Sequence, residues 1–237
     1  MLEIVRTEDG SNTIFNSEVG ENYHSRHGAL QESRHVFLKS GLQYFFEQTN
    51  KVAPTGGDLE GAGVSILEVG FGTGLNFLLS ADYCIAQNIA LDYTGIEAYP
   101  VPEDMIAQTG YDEYVSVAIW DQFIVLYPGS LQHPVELNKN CKLQIANCKL
   151  NDFASERQYD VIYFDAFAAA YQPEMWDEAA ITHTLQFLKP GGVFVTYAIT
   201  GNLKRTIKSL GLKVEKAPGA PGKREMLRAL RCADMQM

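Results

Sequence analysis

One short segment of this chain, residues 66–76, places the strongest constraint on its fold. A mostly apolar run at 66–69 leads directly into three alternating glycines, Gly70, Gly72 and Gly74, and a helix-forming stretch follows. Glycine at a strand-to-helix turn adopts backbone angles that other residues avoid, and it lets a ligand approach the main chain closely. The helix behind the turn offers unpaired N–H groups. The segment predicts a nucleotide-type cofactor site in an α/β protein. A turn needed only for strand–helix packing is the alternative interpretation.

The spacing of the glycines separates two classes of cofactor. The dinucleotide fingerprint G-x-G-x-x-G would need a glycine at position 75, where this chain has Leu75. The observed G-x-G-x-G pattern resembles the first motif of S-adenosylmethionine-dependent methyltransferases. In that superfamily the acid at the strand end, here Glu68, tends to engage the methionine amino group of the cofactor. The resemblance implies a binding turn formed by Gly70, Phe71, Gly72, Thr73, Gly74 and Asn76.

A second acid marks the end of the next predicted strand, 91–97. Glu97 follows Gly74 by 23 residues. An acid about 20 residues beyond such glycines, at a strand end, is placed to accept hydrogen bonds from ribose hydroxyls. A solvated acid at a strand end is the alternative, but the two features are less common together than either is alone.

Hydrophobic patterning predicts an alternation of strands and helices along the rest of the chain. Strands are expected near 64–69, 91–97, 142–146, 159–165, 192–198, 212–217 and 225–231, and helices near 74–87, 102–108, 174–188 and 201–210. Alternation of this kind indicates a mainly parallel sheet with helices on both faces. The last two strands have no helix between them and should form an antiparallel hairpin. The predicted fold class is α/β, the Rossmann-like S-adenosylmethionine-dependent methyltransferase fold.

The 237 residues suit one domain, 1–237, with two additions to the core. An N-terminal extension, 1–60, should contain two short strands and a helix over 31–46, and residues 50–63 are rich in Gly, Pro and Thr, as loops are. An insertion at 98–140 separates the second and third strands of the predicted core. Connections of this length are usually functional in compact domains.

Asp165 is the candidate catalytic residue. It ends the fourth predicted strand, and ligands of open parallel sheets bind beyond the carboxyl ends of the strands. Asp165 should therefore face the same crevice as the glycines and Glu97, where it could contact both cofactor and acceptor. A role as a helix cap is the alternative, but the predicted helix near Pro173 starts too far away for direct capping.

Four segments resemble one methyltransferase family, the one that completes 5-methylaminomethyl-2-thiouridine at the wobble position of tRNA. They are residues 23–37 (YHSRHGALQESRHVF), 68–77 (EVGFGTGLNF), 164–176 (FDAFAAAYQPEMW) and 222–227 (GKREML). This resemblance spans nearly the whole chain. It implies methyl transfer from S-adenosylmethionine to the aminomethyl nitrogen of a modified uridine. Tyr23 and Glu32 are candidates for closing the pocket from the N-terminal extension, and Phe167 is a further candidate substrate contact. Lys204, Lys223 and Arg224 are candidates for contacts to tRNA phosphates.

The chain departs from the family pattern in two places. Ala168 stands in the loop after Asp165 where family members usually carry proline nearby, so this loop should be more flexible. The acid expected to contact adenine is also missing. Asn147 occupies its place and Asp152 follows five residues later, and both remain candidates because an amide oxygen can also accept from an adenine amine.

Composition limits the partners and the compartment. The net charge of −10 argues against nonspecific nucleic-acid binding, but residues 201–237 carry nine basic residues against three acids. This basic face fits a specific polyanion such as tRNA, although a solvated charged surface is equally consistent. No apolar run approaches the ~20 residues of a membrane span, and no signal peptide is visible. We expect a cytoplasmic protein without membrane contact, with its four cysteines as buried thiols.

His24, His27 and His35 lie close in sequence, but no Cys or acid cluster completes a ligand set, so no metal is expected. The family's flavin-dependent oxidase half would need several hundred more residues, so this chain should perform only methyl transfer, with a separate oxidase possible upstream.

Two other functions compete with tRNA methylation: methylation of a small amine or other nucleophile, and a noncatalytic S-adenosylmethionine-binding partner subunit.

Overall fold

The computed structural model describes residues 1–52 and 63–233. The N-terminal extension contains a small antiparallel sheet and a long helical segment. Its strands are β1 (Leu2–Arg6), β2 (Asn12–Asn16) and β3 (Glu21–Asn22). The helical segment comprises α1 (Ala29–Glu32), a π-helical stretch (Ser33–Gln43) and α2 (Tyr44–Val52). The predicted helix is thus present, but its centre has π rather than α geometry. Most of the loop predicted at 50–63 lies outside the described residues.

The core follows the predicted alternation. Its first half contains β4 (Gly63–Val69), α3 (Leu75–Ala86), β5 (Ala90–Ile96), α4 (Glu103–Ala107), α5 (Val117–Ser130), β6 (Val135–Asn138) and β7 (Cys141–Ala146). Its second half contains β8 (Tyr159–Phe164), α6 (Glu178–Leu185), β9 (Leu188–Thr196), α7 (Gly201–Ser209), β10 (Lys213–Pro218) and β11 (Glu225–Leu230). Short 3₁₀ turns occur at Tyr111–Glu113, Leu150–Asp152 and Pro173–Trp176.

Eight of these strands form one sheet in the order β10-β11-β9-β8-β4-β5-β7-β6. Strands β9, β8, β4, β5 and β7 are parallel. The final hairpin is antiparallel, as predicted, and it joins the sheet through β11 against β9. This arrangement confirms the predicted fold class. The other edge differs, because the end of the insertion, residues 98–140, supplies β6 as a further antiparallel strand against β7.

Two predicted boundaries are wrong, and local hydrogen bonding explains one of them. The helix expected at 174–188 is a 3₁₀ turn followed by α6, because the Asp177 side chain accepts a hydrogen bond from the N–H of Ala180 at 2.7 Å and starts a new helix. Strand β9 begins at Leu188, four residues before its predicted start at 192.

Alternating strand residues send apolar side chains to two separate cores, one on each face of the sheet. On β8, Val161 and Tyr163 pack with α3, α5 and the N-terminal helical segment, whereas Ile162 and Phe164 pack with α6 and α7. Side chains successive along a strand point to opposite faces, so each inner strand is buried on both sides. This burial holds the carboxyl ends of β4, β5 and β8 in fixed relative positions, where the loops after them meet.

Candidate active site

A cavity of about 390 Å³ lies at the carboxyl ends of β4, β5 and β8. We call it the site cavity. Its walls come from the glycine turn, the end of β5, the segment 148–151 and the loop after β8, with the N-terminal extension on one side. Of the residues predicted for the site, it brings together Tyr23, Gly70, Gly72, Glu97, Asp165 and Phe167.

Two glycines of the turn are required by close approach as well as by backbone angle. Gly70 has φ of +85°, and a Cβ there would lie 2.5 Å from the carbonyl oxygen of Asp165. Gly72 has φ of +53°, and a Cβ there would lie 2.8 Å from the ring of Tyr23. Left-handed backbone angles favour glycine, and the missing side chains leave main chain exposed to the cavity. The turn therefore forms a cradle for a ligand that binds backbone groups.

The other predicted members of the turn lie behind the cavity wall. Phe71 is buried and packs with Phe77, Tyr93 and Phe123. The Thr73 hydroxyl lies 3.2 Å from the hydroxyl of Tyr111, and Gly74 begins α3 with φ of +80°. These residues shape the turn from within, and their ligand contacts stay predictions.

Glu97 sits on the cavity wall and is held by the main chain. Its carboxylate accepts hydrogen bonds from the N–H of Gly72 and of Tyr99, each at 2.9 Å. Burial raises the pKa of Glu97, and these two backbone donors act in the opposite direction. An acid fixed beside the glycine turn and facing the cavity can accept hydrogen bonds from ligand hydroxyls, as the ribose prediction requires.

Asp165 lines the site cavity directly after β8, and Asn76 holds it from behind. The Asn76 Nδ2 donates to Asp165 Oδ2 and to Glu68 Oε1, each at 2.8 Å. Burial, followed by the charge of Glu32, raises the pKa of Asp165 to about 8. Asp165 can therefore gain or lose a proton near neutral pH, which is the property that a general base needs.

Glu68 lies deeper than the sequence indicated. Its side chain is fully buried, and its second carboxylate oxygen accepts a hydrogen bond from the Tyr93 hydroxyl at 2.8 Å. Burial raises the pKa of Glu68 well above its usual range. Glu68 does not line the site cavity, whereas Asp165, Gly70 and Gly72 do, and a contact of Glu68 with the cofactor stays a prediction.

On the acceptor side, two predicted substrate residues meet. The rings of Tyr23 and Phe167 stack edge to face with centroids 5.0 Å apart. The Phe167 carbonyl accepts from the Trp176 indole at 2.7 Å, and the Glu21 carboxylate accepts from the N–H of Ala168 at 2.8 Å. These contacts tie the loop after β8 to the N-terminal extension. The extension therefore closes one side of the cavity.

Lys223 and Glu32 form an ion pair next to this wall. Glu32 is buried and also accepts from the N–H of Ser25 at 2.9 Å, while the Lys223 ammonium lies 4.0 Å from the centroid of the Tyr197 ring. The charge of Lys223 acts to lower the pKa of Asp165. Lys223 thus has partners inside the protein, whereas its neighbour Arg224 is exposed and Lys204 is half-buried on α7.

The two candidates for adenine recognition are not on the site cavity. Asn147 lines an adjacent chamber of about 450 Å³ together with Tyr99 and Met1. Asp152 lines neither space, whereas Cys148, Lys149, Leu150 and Asn151 line the site cavity. Sequence reasoning missed this segment, together with Asn16 and Tyr99. Its only signal was the position directly after the third core strand.

The histidines and cysteines have structural environments. Burial lowers the pKa of His24 to about 4, and its ring lies 3.2 Å from the Thr13 hydroxyl. His27 contacts Glu8 at 2.9 Å, and His35 lies 2.7 Å from the carbonyl of Pro218. Within 1–52 and 63–233, no group of three His, Cys, Asp or Glu is arranged to hold a metal ion. Cys84 and Cys141 are buried as expected, but Cys148 is half-buried and Cys232 is exposed.

Comparison with known proteins agrees with this geometry. Residues 115–232 match a family model described as S-adenosyl-L-methionine-dependent methyltransferase. The chain is 29% identical over 233 residues to the tRNA 5-methylaminomethyl-2-thiouridine biosynthesis bifunctional protein MnmC of Aromatoleum aromaticum, covering 94% of this chain and 34% of that protein. It is 28% identical to the same-named protein of a Marinomonas species, covering 92% and 32%. The chain thus spans about a third of the length of these relatives.

A solved structure shows the same fold. The crystal structure of MNMC2 from Aquifex aeolicus matches all of this chain and 72% of that one, with a TM-score of 0.72 and 21% identity. The predicted family resemblance and the predicted cofactor class are therefore confirmed. The chain is therefore similar to MnmC proteins over nearly its whole length, and its residues 115–232 match an S-adenosylmethionine-dependent methyltransferase family.

Proposed function

We propose that this protein transfers a methyl group from S-adenosylmethionine to the 5-aminomethyl nitrogen of a modified wobble uridine in tRNA. The observation that carries the proposal is Asp165, a proton-accepting group on the wall of the site cavity, beside the glycine turn. The two relatives named above are biosynthesis proteins of tRNA 5-methylaminomethyl-2-thiouridine. The similarity to them covers 94% and 92% of this chain.

The site residues fit such a cofactor. Gly70 and Gly72 line the cavity with main chain where a Cβ would collide with Asp165 or Tyr23, and Glu97 lines the cavity where ribose hydroxyls would bind. S-adenosylmethionine supplies a sulfonium methyl group: a new nitrogen–carbon bond forms as the sulfur–carbon bond breaks. The segment 148–151 is then the wall available to adenine.

The chain's own residues prepare the acceptor. A protonated amine has no lone pair, so its proton must leave before nitrogen can attack. Asp165 is the acceptor of that proton, and the Tyr23 and Phe167 rings bound the space in which a flat base would lie. Correct orientation of two bound reactants can supply several kcal/mol of the barrier. The same proposal includes tRNA as the partner, a cytoplasmic location and a separate flavin-dependent oxidase that acts upstream. No described helix is long and apolar enough to cross a membrane.

Single-turnover transfer of a radiolabelled methyl group to hypomodified tRNA tests the proposal. Wild-type protein should label the wobble nucleoside, and Asp165→Asn should lower the rate about 100-fold or more, the range of general-base contributions. The affinity for tRNA should change little. A free aminomethyl uridine nucleoside is the competing substrate: equal rates with and without the tRNA body would favour a small-amine methyltransferase. Cofactor binding without any transfer would favour a noncatalytic partner subunit.

A further inference from the structure

The strongest unexplained feature near the site is a buried chain of hydrogen bonds behind Asp165. It runs from Asp165 through Asn76 to Glu68 and Tyr93, and every step is 2.8 Å long. Glu68 is 0% exposed and Asn76 is 3% exposed. Residues on three different elements, β4, β5 and α3, thus support one side chain on the cavity wall.

The Asn76 amide is divided between two carboxyl groups. An amide NH₂ has two hydrogens, and here one points to Asp165 and the other to Glu68. Its carbonyl oxygen is buried without a hydrogen-bond partner among the described residues. An orphaned buried acceptor is costly, so the amide is oriented by what its nitrogen holds. This orientation fixes Asp165 Oδ2, and Oδ1 accepts no hydrogen bond in the described part of the chain.

The two carboxyl groups differ in their surroundings. Glu68 is enclosed by β4, β5 and α3, and it faces Asn76, Tyr93 and the charges of Asp165 and Glu97. Asp165 borders the cavity and faces Asn76, the acids Glu32 and Glu21, the cation of Lys223 and the Tyr197 ring. Two carboxylates held by one neutral amide in a buried place do not both ionise readily. The more enclosed one, Glu68, is expected to keep its proton, and its O–H then donates to the Tyr93 hydroxyl oxygen, the reverse of the bond that an ionised Glu68 accepts.

We propose that Asn76 and Glu68 are positioning residues for Asp165, in which Glu68 stays a neutral carboxyl group and Asn76 presents Asp165 Oδ1 to the acceptor amine. The inference rests on the proposed function. In the reaction, Asp165 takes one proton from the ammonium form of the substrate. The Asn76 N–H stabilises Asp165 before this transfer, while Asp165 is ionised, because a carboxylate accepts more strongly than a carboxylic acid, and it thereby keeps Asp165 available as a base at lower pH. Glu68 neither donates nor receives a proton during turnover.

The pH profile of single-turnover methyl transfer tests the role of Asn76. Asn76→Leu keeps the branched shape and the number of side-chain heavy atoms but has no donor, so the ionised form of Asp165 loses a hydrogen bond and the acidic limb should move up by about 1 pH unit. Asn76→Ser, which retains a hydroxyl donor, should move the limb less. A purely structural role would lower the rate at every pH with no movement of the limb, and that result would overturn the proposal. Circular dichroism and cooperative thermal unfolding show that each variant is folded.

Glu68→Gln tests the neutral carboxyl. Glutamine keeps the acceptor oxygen for Asn76 and carries no charge, so the acidic limb should stay at the wild-type pH, whatever the rate at the plateau. Infrared spectra of the two proteins are compared at neutral pH without substrate. The wild type should show a protonated-carboxyl band that is missing in Glu68→Gln. Absence of any such difference band, or a limb displaced by a full unit, would overturn the proposal. If wild-type protein transferred no methyl group to tRNA, the proposed function would fail, while the infrared comparison would still decide the state of Glu68.

Discussion

At the scale of single residues, ionising the buried carboxyl group of Asp165 costs free energy of folding. An ordinary aspartate is ionised well below neutral pH, but burial raises the pKa of Asp165 to about 8 in the folded protein. Between about pH 4 and pH 8 the folded state therefore binds more protons at this position than the unfolded state. Stability from this group is complete at low pH and is lost as the pH rises through that window.

Asp165→Asn should remove this loss. The free energy of unfolding of the variant, relative to the wild type, should increase from pH 5 to pH 8 and stay level above that. Urea denaturation of the ligand-free proteins at several pH values measures it. Asp121→Asn, at an exposed position on α5, is the matched control and should show no such trend. A difference for Asp165→Asn that is constant with pH would contradict the assignment.

Lys223 and Arg224 are adjacent in sequence but differ in environment. Lys223→Met would leave the buried carboxylate of Glu32 without its cation and would remove a charge that lowers the pKa of Asp165. We expect a loss of stability of about 1–3 kcal/mol, since Lys223 remains partly exposed, and an acidic limb of turnover moved to higher pH. Arg224→Met should leave stability unchanged and weaken tRNA binding. Identical behaviour of the two variants would show that Lys223 is mainly a phosphate contact.

At the scale of elements, the glycine turn between β4 and α3 determines whether the cavity exists. Gly70→Ala adds left-handed strain of about 1–2 kcal/mol and drives a methyl group against the Asp165 carbonyl oxygen. Gly191, in the turn within β9, has φ of +79° but no atom within 4 Å of an added Cβ. Gly191→Ala therefore carries the strain alone.

Gly70→Ala should consequently weaken S-adenosylmethionine binding at least tenfold, while Gly191→Ala should bind it normally at a similar cost in backbone strain. Isothermal titration calorimetry measures the affinity and thermal unfolding measures the stability of both variants. Normal binding by Gly70→Ala would place the cofactor elsewhere in the protein.

At the scale of the whole molecule, two pairs of basic residues lie at opposite ends of the parallel strands. Strand β11 runs antiparallel to β9, so Arg224 lies at the carboxyl ends of the parallel strands. Lys204 lies in the first turn of α7, which follows β9 at the same end. Lys139 and Lys142 lie at the start of β7, at the opposite edge. Only the first pair is on the side of the site cavity.

Binding of tRNA should therefore depend on the basic residues at the carboxyl ends of the parallel strands. Lys204→Ala combined with Arg224→Ala should weaken tRNA binding and reduce the slope of log affinity against log salt by about 1–2, because two phosphate contacts are lost. Lys139→Ala combined with Lys142→Ala removes the same charge and should change the slope little. Affinity measurements over a range of salt concentrations distinguish the pairs. Equal effects would indicate attraction by total charge without a docking face.

Much of the fold was determined by local sequence. The glycine turn, the strand–helix alternation and the closing hairpin each depend on residues within one or two turns of chain, where periodicity and turn chemistry act directly. Their order along the chain then implies a parallel sheet, which places Gly70, Glu97 and Asp165 at one edge. These three residues do line one cavity.

Tertiary structure alone decided which side chains meet. The amide of Asn76 holds a carboxylate 89 residues away, and Lys223 pairs with an acid 191 residues away. No local pattern encodes such pairs, because they arise when separate elements pack. Packing also buried Glu68 away from the cavity wall. The burial of Asp165 raised the pKa of its carboxyl group. Sequence could name residue types suited to the chemistry, but protonation and partners depend on the distance to water and to other charges, which exist only in the folded chain.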